Sequence, residues 1–416
     1  MRHYRWCGVV LVVWCVASSA GAAGFSVFTQ GAKALGQANA VIAHSDSPST
    51  LFYNPAIMND LPGTQFEIGT TLIYDDRDFN SDRSGRNTAG KSNANFPSTL
   101  YATHAVNDWL SAGIGVFNPF GLSTEWPDDW EGRFIATKSE LTTYVINPAV
   151  SVRVAPWLSL AAGVDFMILD GTLKRRLNLN QVFPFGEGKQ EFSGDDTAWG
   201  FNLGLFAKLT DRLHLGMSYR SKYDATLDGD VKNKLPASAD PIAGLFPKTN
   251  GSVDLDLPDQ FLAGLAYHFS DRFVMEAGIR YEGWSRYEQL KLELDDPIAG
   301  QDSQISRKDY RDTYGVMVGG KYQVSDSWAL MAGYLYEKGA IPGKTFEPSN
   351  PDSDSHVFSL GTSYRFKRFE ASFAYAFQKE VEKEKDNDIG ADTGFPANGD
   401  YDSNLHLVAM SLGYKF

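Results

Sequence analysis

Strict alternation of apolar with small or charged residues constrains this chain more than any other feature. Trp199, Phe201, Leu203, Leu205, Ala207 and Leu209 alternate with Gly200, Asn202, Gly204, Phe206 and Lys208. The same period of two runs through Leu215, Met217, Tyr219, Ser221 and Tyr223, through Trp328, Leu330, Ala332, Tyr334 and Tyr336, and through Val408, Met410, Leu412, Tyr414 and Phe416. Period two sustained over roughly nine to eleven residues specifies a β-strand long enough to cross a tilted bilayer path. One face is apolar and the other small or charged, the pattern of a lipid face and a lumen face. A soluble β-sandwich is the rival reading, but its strands average about five or six residues.

The connections fall into two classes. Tight turns are expected at Asn107-Asp108, Ala155-Pro156, Asp211-Arg212, Asp271-Arg272, Ser325-Asp326 and Lys367-Arg368. Long polar stretches near 76–97, 118–138, 173–197, 228–252, 295–306, 338–354 and 379–402 alternate with them. Six turns and seven loops make thirteen connections, hence a 14-stranded antiparallel transmembrane β-barrel, with short turns on the periplasmic side and long loops outside. An even strand number closes the sheet and leaves no unpaired edge in lipid. Aromatics at the short turns (Trp109, Trp157, Phe273, Trp328 and Phe369 after them, Phe269, Tyr322 and Phe366 before them) suit the headgroup level. The alternating C-terminus ending in Phe416 resembles the signal read by the barrel assembly machinery.

Composition agrees. The 416 residues include 39 Gly, 19 Tyr and 27 Phe, with 51 acidic against 38 basic residues and a net charge of -13. That balance lacks the basic footprint of a nucleic-acid binder, and no helical membrane span is present beyond the N-terminus. Residues 1–22 read as a signal peptide: Arg2 and Arg5 before an apolar run too short to span, then Ala20-Gly21-Ala22 as cleavage site. Cleavage leaves Ala23, Gly24 and Phe25 as the mature N-terminus and removes both cysteines, Cys7 and Cys15, so no disulfide or thiolate metal site is expected.

Residues 23–62 stand outside the alternation; residues 63–416 carry it. Gln30 to Ala43 consists of small residues and helix formers, and Ser47-Pro48 reads as an N-cap with proline at the first helical position, running through Phe52. Asn54-Pro55-Ala56 ends that turn. Such a segment suits a compact lumenal plug; a periplasmic arm is the alternative.

These features together resemble the FadL/TodX family of outer-membrane transporters of hydrophobic compounds. The resemblance rests on the start Ala23-Gly24-Phe25, the plug motif Asn54, Pro55 and Ala56, and the block from Val116 to Trp126, and it covers the mature chain. It implies a monomeric barrel in the bacterial outer membrane, an N-terminal hatch, and passive uptake of long-chain fatty acids or aromatic hydrocarbons. It also implies lateral release through a kink in the third strand. Residues Asn118, Pro119, Phe120 and Gly121 mark that place here: proline removes a ladder donor and glycine eases a bend. The alternative is that Pro119 simply ends the strand.

Two loops are apolar, Val182-Phe183-Pro184-Phe185 and Pro241 to Pro247 with Ile242, Leu245 and Phe246. Exposed apolar groups of this kind mark a surface capture groove, or else loop-on-loop packing. A carboxylate ligand in an apolar lumen needs a cationic partner. Arg220, Arg280 and Lys321 face inward by alternation and are the candidates, though Glu276, Glu282 and Glu337 compete for them. Lys174-Arg175-Arg176 reads as the solvated base of a loop facing lipopolysaccharide phosphates. The acidic pairs Asp352, Asp354 and Asp386, Asp388 read as solvated loops. The mature histidines are dispersed without metal or catalytic spacing, so neither enzyme nor cofactor is indicated. The partners expected are a hydrophobic small molecule, outer-membrane lipid and lipopolysaccharide. A general diffusion porin is the rival class.

Overall fold

The computed structural model describes residues 24–92, 94–180 and 184–416. The expected signal peptide, Ala23, Val182 and Phe183 lie outside the described residues.

Fourteen antiparallel strands form one closed sheet: β1 (Thr64–Ser81), β2 (Ser98–Ala105), β3 (Leu110–Phe117 and Gly121–Glu125), β4 (Lys138–Ala155), β5 (Leu158–Asn178), β6 (Glu187–Lys208) and β7 (Leu213–Arg220 and Tyr223–Lys234). The circuit continues with β8 (Thr249–Leu257 and Gln260–Ser270), β9 (Phe273–Glu282 and Gln289–Ile298), β10 (Gln301–Arg307 and Thr313–Gln323), β11 (Trp328–Glu337), β12 (Ser355–Phe366), β13 (Phe369–Glu380) and β14 (Gly399–Lys415). Closure comes from β1 against β14, in register from Gln65↔Lys415 to Ser81↔Gly399. All six expected tight turns join strands where the sequence places them. Leu203, Leu265, Leu360 and Leu412 are exposed on the outer face, and Trp109, Trp157, Phe269, Tyr322, Phe366 and Phe369 are exposed around the turns, as lipid contact and interfacial anchoring require.

The strands outrun their apolar alternation on the loop side. The stretch 173–197, read as one loop, is ladder up to Asn178 and again from Glu187, with Asp170↔Asp195 and Lys174↔Glu191 as cross-strand partners. Likewise 295–306 is a hairpin turning at Ala299-Gly300, both with positive φ. Lys174, Arg175 and Arg176 are therefore strand residues of β5, not a loop base. Above the bilayer both faces of a strand meet polar surroundings, so the hydrophobic period vanishes while the backbone ladder continues. One face assignment also changes. Ser221 and Lys222 interrupt β7, and Tyr223 turns inward and is buried, whereas Met217 and Tyr219 face outward.

Residues 24–62 lie against the inner wall and are almost entirely buried. Only one helical turn forms in the Gln30–Ala43 stretch, α1 (Ala32–Leu35), and α2 (Thr50–Tyr53) starts two residues after Pro48. Asn54 links rather than terminates: it closes α2, and its Oδ1 accepts the Ala56 N–H (3.1 Å) to cap a 3-10 helix, Pro55–Asp60. Its Nδ2 donates to the carbonyls of Ile42 (2.8 Å) and Leu205 (2.9 Å), tying the segment to itself and to β6. Glu276 of β9 accepts the N–H groups of Ile42 (2.7 Å) and Ala43 (2.8 Å) and faces His44 Nδ1 at 2.8 Å. Close approach demands glycine in the wall: a Cβ at Gly216 would lie 1.9 Å from the Ile42 carbonyl, and one at Gly319 2.1 Å from that of Gln37.

Candidate transport site

Asn118, Pro119 and Phe120 interrupt β3, as the proline requires. Below the interruption β3 pairs with β2 up to Leu100↔Val116 and with β4 up to Phe117↔Val145. Above it, Gly121–Glu125 rejoins β4 with a one-residue shift (Gly121↔Thr142). Its contact toward β2 is then a hydrogen bond from the Lys91 N–H to the Glu125 carbonyl (2.7 Å). The N-terminal segment takes up backbone groups at the interruption. Val27 N–H donates to the Pro119 carbonyl and Gly121 N–H to the Phe25 carbonyl, each 2.8 Å, around a bridge between Ser26 and Phe120. Gln30 Nε2 reaches the Asn118 carbonyl (2.5 Å), and Asn118 Nδ2 the Thr143 carbonyl (2.5 Å). A buried backbone group left without a partner costs about 1–3 kcal/mol, and these bonds supply partners to the Pro119 carbonyl and the Gly121 N–H.

A cavity of about 430 Å³ opens beside this bridge on the external side, lined by Phe25 of the bridge and by Leu122, the residue after Gly121. Leu122, Leu173, Phe192, Leu290 and Leu292 give it apolar walls, while Lys138, Lys174, Arg175, Arg307 and Lys308 bring positive charge. The cations differ in how they are neutralised. Lys308 Nζ is in direct contact with the Glu347 carboxylate, Lys174 pairs with Glu191 at 3.1 Å, and Lys138 with Glu140 at 2.5 Å. Arg175 instead donates to two neutral amides, Gln190 Oε1 (3.0 Å) and Gln304 Oε1 (2.6 Å), with the carboxylates of Asp392 and Glu347 acting on it through space. Two of its five N–H donors are used in those bonds.

The three cations singled out by alternation do face inward, but each is already engaged. Arg220 meets Asp165 Oδ2 at 2.5 Å, which Tyr223 also reaches, and lies over the Phe52 and Phe117 rings. Arg280 pairs with Glu282 (3.0 Å) and Glu337 and covers the Phe28 ring. Lys321 pairs with Asp46 of the N-terminal segment at 2.9 Å. None of the three lines the cavity. Buried pairs of this kind fix geometry, since removing one partner strands the other charge.

Of the two apolar loops, the described residues come together. Ser238 Oγ donates to the Phe185 carbonyl at 2.6 Å, Ile242 and Phe246 are half-buried, and Leu245 is exposed. They sit outside the cavity wall. The sequence places Arg175 in a solvated loop base; the structure puts it in a strand extension, on the cavity side with Leu173.

The sequence profile described as "Outer membrane protein transport protein (OMPP1/FadL/TodX)" matches residues 13–416. Outer membrane protein P1 of Haemophilus influenzae is 24% identical across the full length of both chains. The long-chain fatty acid transport protein of Escherichia coli O6:H1 is 23% identical over 86% of this chain and 87% of its own. Among solved structures, a Pseudomonas aeruginosa FadL homologue superposes with a TM-score of 0.83 at 22% identity, covering 95% of this chain and all of that one. The Pseudomonas putida toluene transporter TodX superposes at 0.73 with 19% identity, over 93% and 98% of the two chains.

Proposed function

The chain belongs to the OMPP1/FadL/TodX family of outer-membrane transport proteins, and on that premise we propose that it takes up long-chain fatty acids. The ligand is first held at the apolar loops around Leu245, then in the cavity with its carboxylate on Arg175 and its chain along Leu122, Leu173 and Phe192. The observation that carries this reading is Arg175, a cation donating to neutral amides at the side of a cavity with apolar walls. A guanidinium so placed favours a carboxylate, through charge-assisted hydrogen bonds about twice as strong as neutral ones.

The exit follows from the cost of water. Returning a chain to an aqueous channel costs about 0.8 kcal/mol per methylene, so release into lipid is the favourable route. Residues 23–62 act as the hatch, and Phe25 belongs both to the cavity floor and to the bridge that occupies the β3 interruption. Movement of Phe25–Val27 unpairs the Pro119 carbonyl and the Gly121 N–H and opens the wall between β2 and β3. An uncharged aromatic hydrocarbon is the second reading, supported by the fold shared with TodX; it has no use for Arg175.

Binding of oleate and of toluene to the purified protein separates the two. Arg175→Gln is expected to weaken oleate at least about tenfold, one charge-assisted interaction's worth, and to leave toluene unchanged. Equal oleate affinity in both proteins would remove the head-group site and favour the hydrocarbon reading.

A further inference from the structure

The cavity has a cover built unlike the rest of the barrel. The last external loop, residues 381–398, folds back so that Ile389, Gly390 and Thr393 line the cavity while Ala391 and Gly394 face solvent. Its base is fixed. Residues Lys383–Lys385 pair with Gly399–Tyr401, and the buried Lys385 Nζ donates to the carbonyls of Ile389 (3.2 Å) and Pro396 (2.7 Å) and to Asn398 Oδ1 (2.8 Å). Between those two pinned points lies a single turn, Ala391–Thr393, bounded by Gly390 (φ 85°) and Gly394 (φ 77°). Glycine holds the left-handed backbone on both sides of this three-residue turn and can leave that region without steric cost.

The turn is held shut from outside by side chains. Arg133, in the loop between β3 and β4, lies 5.0 Å over the Phe395 ring and 4.4 Å over Phe134. It also grips Glu187 in bidentate fashion (3.1 and 2.8 Å) and donates to the Trp130 carbonyl (2.9 Å). Arg83 lies 4.6 Å over the Phe395 ring and donates to the Gly394 carbonyl (2.7 Å), and Asn178 Nδ2 donates to the Thr393 carbonyl (3.0 Å). Opening the turn breaks these side-chain contacts but no strand ladder.

We propose that residues 390–395 are a hinged lid over the cavity and that Arg133 is its latch, setting how fast ligand gains access from the external side. Lys385 keeps the frame in place, so the lid swings without unravelling the loop. The identity of what passes beneath it rests on the fatty-acid reading above; the lid itself does not.

The test uses the full mature protein carrying Leu173→Cys as a reporter in the cavity wall; the two natural cysteines, Cys7 and Cys15, lie in the expected signal peptide. Alkylation of Cys at that position by N-ethylmaleimide is timed with Arg133 intact, with Arg133→Ala and with Arg133→Lys, alongside stopped-flow association of oleate. Arg133→Ala is expected to speed labelling at least about tenfold, the scale of a gating step. Arg133→Lys, which keeps a charge above Phe395 but loses the fork to Glu187, falls in between. Oleate association accelerates in parallel while its dissociation constant stays the same. Labelling at one rate in all three proteins would overturn the lid. Faster labelling without any oleate binding would keep the lid and discard the fatty acid.

Discussion

Two of the lapses in the barrel wall, in β3 and in β9, are repaired differently. Both turn a large ring inward, Phe120 in β3 and Trp284 in β9; both are buried and lie edge-on to each other at 6.2 Å, and Trp284 is edge-on to Phe25 at 4.5 Å. In β9 the repair comes from the barrel itself. No regular ladder joins residues 254–259 to residues 283–291 across the β8–β9 seam, but Gly283 N–H donates to the Asp259 carbonyl (3.1 Å). The turn Trp284–Arg286 fills the space, and Lys308, Asp309 and Tyr310 of the β10 side donate to the carbonyls of Glu288 and Tyr287. In β3 the repair is lent by the N-terminal segment, through Phe25, Val27 and Gln30. The β9 lapse is closed by the wall itself and the β3 lapse by a separate segment, which is why β3 rather than β9 is the proposed exit.

Deleting residues 23–62 is the most drastic way to break the comparison. It removes the partner of the β3 lapse and the packing under Trp284 together, and single-channel conductance in planar bilayers is expected to rise many-fold. Unchanged conductance would mean that the segment does not occlude the lumen.

A sharper version treats the lapses separately. Pro119→Val with Gly121→Val restores a donor and two β-formers to β3, so oleate still binds but delivery to cells falls to background at equal surface abundance. Trp284→Ala leaves a cavity under Phe25 and costs about 3–5 kcal/mol of stability, lowering the thermal midpoint while delivery persists. If the β9 variant also abolished delivery, or the β3 variant left it normal, the distinction between the two lapses would fail.

The smallest effect concerns the loop that holds Gly24. Asn350 Nδ2 donates to the Gly24 carbonyl (3.0 Å), and nearby Asp352 accepts the Ala340 N–H at 2.6 Å. Read from sequence as a solvated acid, Asp352 is buried, and burial pushes its carboxyl up to about 6. A folded-state value above the unfolded one means stability is full below the unfolded value near 3.8 and declines as pH rises through about 6. Amide exchange at Ala340, corrected for intrinsic rate, should therefore show more opening at pH 7 than at pH 4. In Asp352→Asn the pH difference disappears; its persistence would assign the effect to another group.

The sequence by itself determined the strand number, all six short turns, most of the lipid-facing residues and the β3 interruption. Each follows from a local cause: period two where one face meets lipid, turn residues between strands, and a proline that cannot donate to a ladder. Only the tertiary structure decided what happens where those causes are silent. In the extensions of β5 and β6 charged residues cluster where the ladder continues, so Arg175 reads as loop from sequence although it lies in a strand. Ser221 and Lys222 flip the faces of β7 by a bulge that leaves composition untouched. The pairing of Val27 with Pro119 and of Arg175 with Gln304 joins residues far apart in the chain. Such partners are chosen by closure of the barrel, and no short window of sequence contains them.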